Sequence, residues 1–122
     1  MQPENRDAGH LWDMVEHARL AVELTRDLSF GAYSRDRVKQ LALERLVEII
    51  GEAARRVSKP FRDAHPEIPW QKIIGQRNVL VHEYDKILQD VLWVTATVEA
   101  PRLVSALAPL LPPPRIAPED AP

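Results

Sequence analysis

The sequence contains no cysteine among its 122 residues. This absence excludes disulfide bonds, thiolate zinc sites and cysteine nucleophiles, and it agrees with a reducing compartment. Strand patterns are missing too, because no stretch of alternating apolar and polar residues is bounded by hairpin turns. The fold therefore has to rest on packing, and the elements that pack are helices.

Long apolar runs and a strong net charge are also absent. No run approaches the ~20 apolar residues needed to cross a membrane, and the segment MQPENRDAGH lacks a basic stretch followed by an apolar one. We therefore expect a cytoplasmic protein without membrane contact. The net charge of -2 and the pI near 6.1 argue against a protein that coats nucleic acid through its overall field. Any contact with nucleic acid must be local.

Several catalytic and metal-binding motifs are missing. The sequence has no glycine-rich phosphate loop, no H-E-x-x-H and no G-x-S-x-G. Asp13 and His17 are four residues apart on the predicted first helix, but two such residues on a solvated face are usually a surface pair. We expect no metal and no other cofactor. His10 and His65 are interpreted as surface or turn residues.

Helical periodicity is what the sequence does contain. With 45% hydrophobic and 28% charged residues, a chain of this length predicts one globular domain. A first helix is predicted from about Gly9 to Leu28, with an apolar stripe of Leu11, Met14, Val15, Ala18 and Val22.

A second helix is predicted after the segment SFGAYSRD, with Ser34 as its N-cap and an end before Pro60. Its predicted buried stripe consists of Val38, Leu41, Ala42, Leu46, Ile49, Ile50, Ala53 and Val57. Gly51 lies inside this helix, where glycine costs roughly 1 kcal/mol against alanine. We therefore expect a close helix contact there, either within the chain or across a dimer.

The second half of the chain is divided by prolines. Pro60, Pro66 and Pro69 predict a turn-rich connection, and Pro69 can begin a third helix. That helix carries apolar contacts at Trp70, Ile73, Ile74 and Val81. A fourth helix, about Ile87 to Leu110, is expected to be kinked or divided at Pro101. The predicted architecture is an all-α bundle of four or five helices in residues 1–110, followed by a disordered proline-rich tail in 111–122.

The stretch RNVLVHEY, Arg77 to Tyr84, brings together a guanidinium, an imidazole and a phenol. In RNA the 2'-hydroxyl lies beside the scissile phosphate, so cleavage needs a base, an acid and positive charge. Histidine exchanges protons near neutral pH, and arginine binds phosphate in a fixed fork. Asn78 can add a hydrogen bond to the phosphate or to the imidazole. Arg77 and His82 are therefore candidate catalytic residues for RNA cleavage.

A second basic cluster precedes this stretch. It has two interpretations, either a local RNA-binding patch or a solvated helix end whose cations complement the helix dipole. Its members are Arg55, Arg56, Lys59 and Arg62.

The spacing of Arg77 and His82 raises a geometric problem. Five residues at about 100° each place the two side chains roughly 140° apart around a regular helix. Either the helix distorts near Gly75 or the site is composite. A twofold dimer, the commonest soluble assembly, would present two of each residue across one groove. We therefore predict an active homodimer.

The pattern R-x4-H-x-Y resembles the signature of the HepT-like branch of the HEPN family. Three blocks carry the resemblance in order, IIGEAAR at 49–55, IPW at 68–70 and RNVLVHEY at 77–84, and it covers about Gly9 to Leu110. It implies a HEPN-type helical fold and an endoribonuclease toxin with Arg77 and His82 as the catalytic pair and Asn78 as their polar neighbour.

The resemblance also implies a partner, a minimal nucleotidyltransferase antitoxin that transfers AMP from ATP to the tyrosine matching Tyr84. An AMP group there would block the groove and pair with the arginine that RNA requires. The alternative is a noncatalytic helical protein that uses the same surface only to bind a nucleotidyltransferase or a nucleotide.

Overall fold

A computed structural model describes residues 5–112 of the chain, and this range is all-α, without a strand. The helices are α1 (Asn5–Thr25), α2 (Phe30–Ser34), α3 (Arg37–Arg56), α4 (Lys59–Ala64), α5 (Trp70–His82), α6 (Gln89–Val94) and α7 (Ala100–Leu107). A 3-10 turn, Tyr84–Lys86, follows α5, a π-helical segment, Thr95–Glu99, joins α6 to α7, and a second 3-10 turn, Ala108–Leu110, follows α7. Residues 113–122 of the predicted tail and 1–4 of the predicted domain lie outside the described residues.

Helix α3 is the centre of the bundle, because it packs against α1 on one side and α5 on the other, while α7 packs against α1. The ends of α1 and α3 show that these two helices are antiparallel. Asp7, at the start of α1 and 5% exposed, accepts hydrogen bonds from the backbone N–H and the hydroxyl of Ser58, just after α3, at 2.8 and 2.5 Å.

The first helix agrees with its predicted apolar stripe, since Leu11, Met14, Val15 and Ala18 are fully buried. Its end differs by a few residues, which is normal for helix boundaries. The predicted N-cap of the second long helix is wrong. Ser34 ends the short helix α2, and α3 is capped by Asp36, whose side chain accepts from the backbone N–H of Lys39 at 3.1 Å.

The predicted stripe of α3 is also partly wrong. Val38 and Leu41 are 77% and 47% exposed. Ile50, Ala53 and Val57 are buried as predicted. The buried positions that the stripe did not include are Gln40, Leu43, Glu44, Val47, Gly51 and Ala54. The helix is turned so that two polar residues, Gln40 and Glu44, face inward. Gln40 donates to the carbonyl oxygen of Tyr33, and Glu44 accepts from the distant Gln89, so both buried groups are hydrogen-bonded.

The last long helical stretch, Gln89–Leu110, stays helical through Pro101, but its helix type changes just before this proline, where Thr95–Glu99 is π-helical. Proline has no N–H for the carbonyl four residues earlier, and the chain relaxes into the π-helical segment just before it. Contrary to the expectation from apolar runs, this 22-residue stretch has the length and mean hydropathy, 1.3, of a membrane span. One such helix is weak evidence for a membrane, because it rests on length and composition only. Of its most apolar window 28% is buried, and Leu92, Ala96 and Leu107 of the stretch belong to the core.

Candidate active site

Helix α5 carries RNVLVHEY to the surface of the bundle. It begins after Pro69 and continues as an α-helix through Gly75 to His82, so no distortion near Gly75 relieves the angular separation of Arg77 and His82. Arg77 is half-buried against α3, whereas His82 is exposed. The apolar contact predicted for Val81 is made by Leu80 instead, since Val81 is 41% exposed and Leu80 is 7% exposed.

Arg77 is fixed by contacts on three sides. Its Nη2 lies 3.1 Å from Glu52 Oε2, and its Nη1 donates to Asn78 Oδ1 at 3.1 Å. A Cβ atom added to Gly51 would lie 2.2 Å from the Cβ of Arg77. The close contact predicted at Gly51 is thus confirmed, and it lies within the chain. Glycine is required because α3 and α5 touch at the catalytic candidate itself.

Glu52 was not identified from the sequence, although it follows Gly51 directly in GEAAR. Arg55 Nη2 and Arg56 Nε also donate to its carboxylate, each at 2.9 Å. These hydrogen bonds, together with the charges of Arg55 and Arg77, lower the pKa of Glu52 to about 2. The carboxylate is therefore ionised throughout the neutral range and keeps its pairing with Arg77.

A cleft of about 400 Å³ lies beside Arg77, where α1, α3 and α5 meet. Among its lining residues are two further arginines, Arg45 and Arg56, and one imidazole, His10. His10 was interpreted as a surface residue from the sequence, but in the fold it shares this cleft with Arg77. His82 does not line it. Arg77 and His82 of the chain therefore do not share this cleft.

The predicted basic cluster is divided by the fold. Arg55 and Arg56 are exposed at the end of α3 and bind Glu52, and Arg56 lines the cleft with Arg77. Lys59 pairs with Asp63 at 2.6 Å on α4. Arg62, which is half-buried, lines a separate hollow with Lys59. Of the four candidates, Arg56 is the one that the structure brings to the Arg77 cleft.

Tyr84 follows α5 in the first 3-10 turn, with 54% of its surface exposed. Its phenol oxygen accepts a hydrogen bond from Arg37 Nη2 at 2.7 Å. Arg37, at the start of α3, was not identified from the sequence, because 47 residues separate it from Tyr84. Within the chain, the guanidinium beside Tyr84 is that of Arg37, while Arg77 is engaged by Glu52.

The Asp13 and His17 pair is joined by Glu16. Ligand atoms of the three residues lie within 4.8 Å of one another on α1. His17 Nδ1 lies 2.7 Å from the carbonyl oxygen of Asp13, which orients the ring along the helix. Exposed acidic groups of this kind are common without an ion.

Comparisons with known proteins identify the family of the chain. A family model described as "Ribonuclease HepT-like" matches residues 14–110. A protein of Thermococcus cleftensis named "Probable ribonuclease HepT" is 37% identical over 94 residues, 77% of this chain and 86% of its own length. A protein of Methanocaldococcus jannaschii named "Putative RNase MJ1380" is 33% identical over 93 residues, 76% of this chain and 85% of its own length. No solved structure gives a significant match.

Proposed function

Since this chain belongs to the HepT-like ribonuclease family, we propose that it is a metal-independent endoribonuclease toxin that uses Arg77 and His82. The observation that carries the proposal is the fixed guanidinium of Arg77. Glu52 and Asn78 hold it at a cleft that also contains Arg56, so a phosphate can be bound without a large loss of side-chain entropy.

The proposed reaction is attack of the RNA 2'-hydroxyl on the adjacent phosphorus. The bond to the 5'-oxygen breaks, a 2',3'-cyclic phosphate forms, and the leaving oxygen takes up a proton. An imidazole suits both proton transfers, and Arg77 balances the charge of the crowded phosphorane. DNA lacks the internal nucleophile, so the chemistry selects RNA.

The active unit in this proposal is a homodimer. Since α5 is regular, Arg77 and His82 of one protomer point to different sides, and a twofold axis can bring His82 of one copy toward Arg77 of the other. Exposed apolar residues near His82 support an interface with a second copy at this end of the molecule. Val81, Leu88 and Val91 are 41%, 61% and 45% exposed.

The proposal includes control by a nucleotidyltransferase antitoxin in the cytoplasm. The phenol oxygen of Tyr84 attacks the α-phosphorus of ATP, the bond to the β-phosphate oxygen breaks, pyrophosphate leaves, and a base of the transferase takes the phenol proton. The exposure of Tyr84 and its position two residues after His82 support this step. A bulky anion there would repel RNA phosphate and obstruct the groove.

The test of cleavage compares wild type with Arg77→Ala and His82→Ala on RNA in the presence of a chelator. Arg26→Ala and His17→Ala are matched controls, because His17 lies on α1, Arg26 follows the last residue of α1, and neither residue lines the Arg77 cleft. Wild type and both controls should cleave, and the two motif variants should not. Equal behaviour of all variants would refute the ribonuclease assignment and favour a noncatalytic binding partner. Loss of cleavage with chelator would refute metal independence.

The modification is tested by mass spectrometry after incubation with ATP and a minimal nucleotidyltransferase. Wild type should gain AMP, and Tyr84→Phe should not. Equal labelling of both proteins would show that another residue is modified.

A further inference from the structure

The contact between Arg37 and Tyr84 is part of a wider hydrogen-bonded network. Behind Tyr84, Arg37 Nη1 donates to Gln40 Oε1 and to Glu44 Oε2, both at 3.2 Å. Glu44 is 6% exposed, so its carboxylate is a buried anchor for the guanidinium. Arg37 is thus held from the inside of the bundle while 55% of its side chain remains exposed.

The anchor itself is supported from α2 and α6. Gln89 Nε2 donates to Glu44 Oε2 at 2.8 Å, and the hydroxyl of Tyr33 donates to Gln89 Oε1 at 2.5 Å. Burial of Tyr33, reinforced by the charge of Glu44, raises its pKa to about 12, so this hydroxyl stays a donor. Residues of α2, α3 and α6 therefore fix the position of Arg37. An arginine that only covers the surface would not need such support.

The guanidinium keeps donors for a further ligand. Arginine has five N–H groups, and the contacts to Gln40, Glu44 and Tyr84 use Nη1 and one N–H of Nη2. Within residues 5–112, the Nε of Arg37 donates to no acceptor, and Nη2 donates only to Tyr84. Nε and Nη2 lie along one edge of the planar fork, the arrangement that binds two oxygens of a phosphate.

We infer that Arg37 is the phosphate-binding residue of the Tyr84 modification site, holding the phenol as the acceptor and then pairing with the phosphate esterified on its oxygen. The inference rests on the proposed modification of Tyr84. Before transfer, the N–H of Arg37 on the phenol oxygen stabilises the developing phenolate and leaves the phenol proton free for the transferase. After transfer, the phosphorus is bonded to the oxygen that Arg37 already contacts at 2.7 Å.

Arg37 thereby gives the modified state a defined geometry. The phosphodiester of AMP–Tyr84 would be tied to the start of α3, and through Glu44 and Gln89 to α6. Arg77 is already paired with Glu52 on another part of α3. The modified tyrosine therefore does not need Arg77 for its phosphate, and the two arginines have separate partners.

A test that needs no transferase places phosphotyrosine at position 84 of the full chain by genetic code expansion. The second pKa of such a phosphate is about 6. With Arg37 present, 31P NMR titration should give a pKa lower by about half a unit or more. Arg37→Ala should abolish the shift, and Arg37→Lys, which keeps the charge but loses the fork, should retain part of it. Arg26→Ala, a matched exposed arginine in an ion pair with Glu23, should leave the shift unchanged.

The same phosphate pKa in wild type and Arg37→Ala would overturn the inference. Circular dichroism of each variant identifies a loss of fold, and Arg37→Lys provides the milder substitution if Arg37→Ala unfolds. With the transferase and ATP, AMP incorporation should be slower in Arg37→Ala than in Arg26→Ala. If Tyr84→Phe is labelled as well as wild type, the proposed modification of Tyr84 is refuted, while the 31P titration still decides whether Arg37 binds a phosphate on Tyr84.

Discussion

Gly51 and Arg77 constrain each other at the scale of single residues. In an open helix, Gly51→Ala would raise stability by about 1 kcal/mol through helix propensity. Here the new Cβ would lie 2.2 Å from that of Arg77, so α5 must shift, and overpacking typically costs about 1–3 kcal/mol. We expect Gly51→Ala to lower both the urea midpoint of unfolding and the rate of RNA cleavage.

Gly75→Ala is the matched control for this substitution. Gly75 is also inside a helix, but nothing lies within 4 Å of an added Cβ atom. It should therefore raise the free energy of unfolding by up to about 1 kcal/mol. Equal stabilisation by both alanines would contradict the close contact between α3 and α5.

A substitution at Glu52 can separate the effect of Arg77 position on cleavage from the effect of net charge at the cleft. Glu52→Gln frees Arg77 and leaves more net positive charge at the cleft, so RNA binding should not weaken. Because a misplaced catalytic group costs about a hundredfold in rate, kcat should fall ten- to a hundredfold while KM does not rise. Glu48→Gln removes the same charge from the same cleft, but Glu48 pairs with Arg45. A comparable fall in kcat for Glu48→Gln would show that the loss comes from the changed charge of the cleft and not from the position of Arg77.

The pKa of Glu52 gives a further prediction at this scale. Its folded-state pKa is depressed from 4.5 to about 2. Its contribution to stability is therefore complete above pH 4.5 and is lost as the pH falls toward 2. Urea unfolding at a series of pH values should show wild type more stable than Glu52→Gln near pH 6, with the difference closing between pH 4.5 and 2. A difference that stays constant across that window would contradict the ion cluster.

At the scale of helices, Asp7 ties the start of α1 to the turn between α3 and α4. Asp7→Ala leaves the N–H of Ser58 without its buried acceptor, which costs about 1–3 kcal/mol. Asp63→Ala removes a carboxylate from an exposed pair with Lys59, and such pairs contribute about 0–1 kcal/mol. The urea midpoint should fall clearly for Asp7→Ala and little for Asp63→Ala. The reverse order would mean that this junction does not hold the two helices.

The same helices show how far sequence periodicity reaches. The apolar stripe of α1 was predicted because it depends on residues three and four apart. The orientation of α3 was not, because the burial of Gln40 and Glu44 depends on Tyr33 and Gln89. Glu44 and Gln89 are 45 residues apart, and no local pattern records such a contact. A close contact was predicted at Gly51 because glycine inside a helix lowers stability and is usually kept for a reason. The pattern did not identify Arg77 as the neighbour.

At the scale of the whole molecule, the sequence predicted the candidate reactive residues but not the residues that hold them. Arg77, Asn78, His82 and Tyr84 were identified because they lie together in the short segment RNVLVHEY. Glu52 and Arg37, which hold Arg77 and Tyr84, come from a different helix. Their contacts depend on the packing of α3 against α5, which the sequence pattern does not give.

The proposed composite groove predicts complementation between two variants that are each expected to be inactive. Homodimers of Arg77→Ala retain only histidines in the groove, and homodimers of His82→Ala retain only arginines. After random exchange of subunits, about half of the dimers are mixed, and each mixed groove regains one arginine and one histidine. We expect RNA cleavage by the mixture to exceed that of either parent, with analytical ultracentrifugation confirming a dimer. If one chain holds a complete site, mixing restores nothing, and a rate equal to the average of the parents would refute the shared groove.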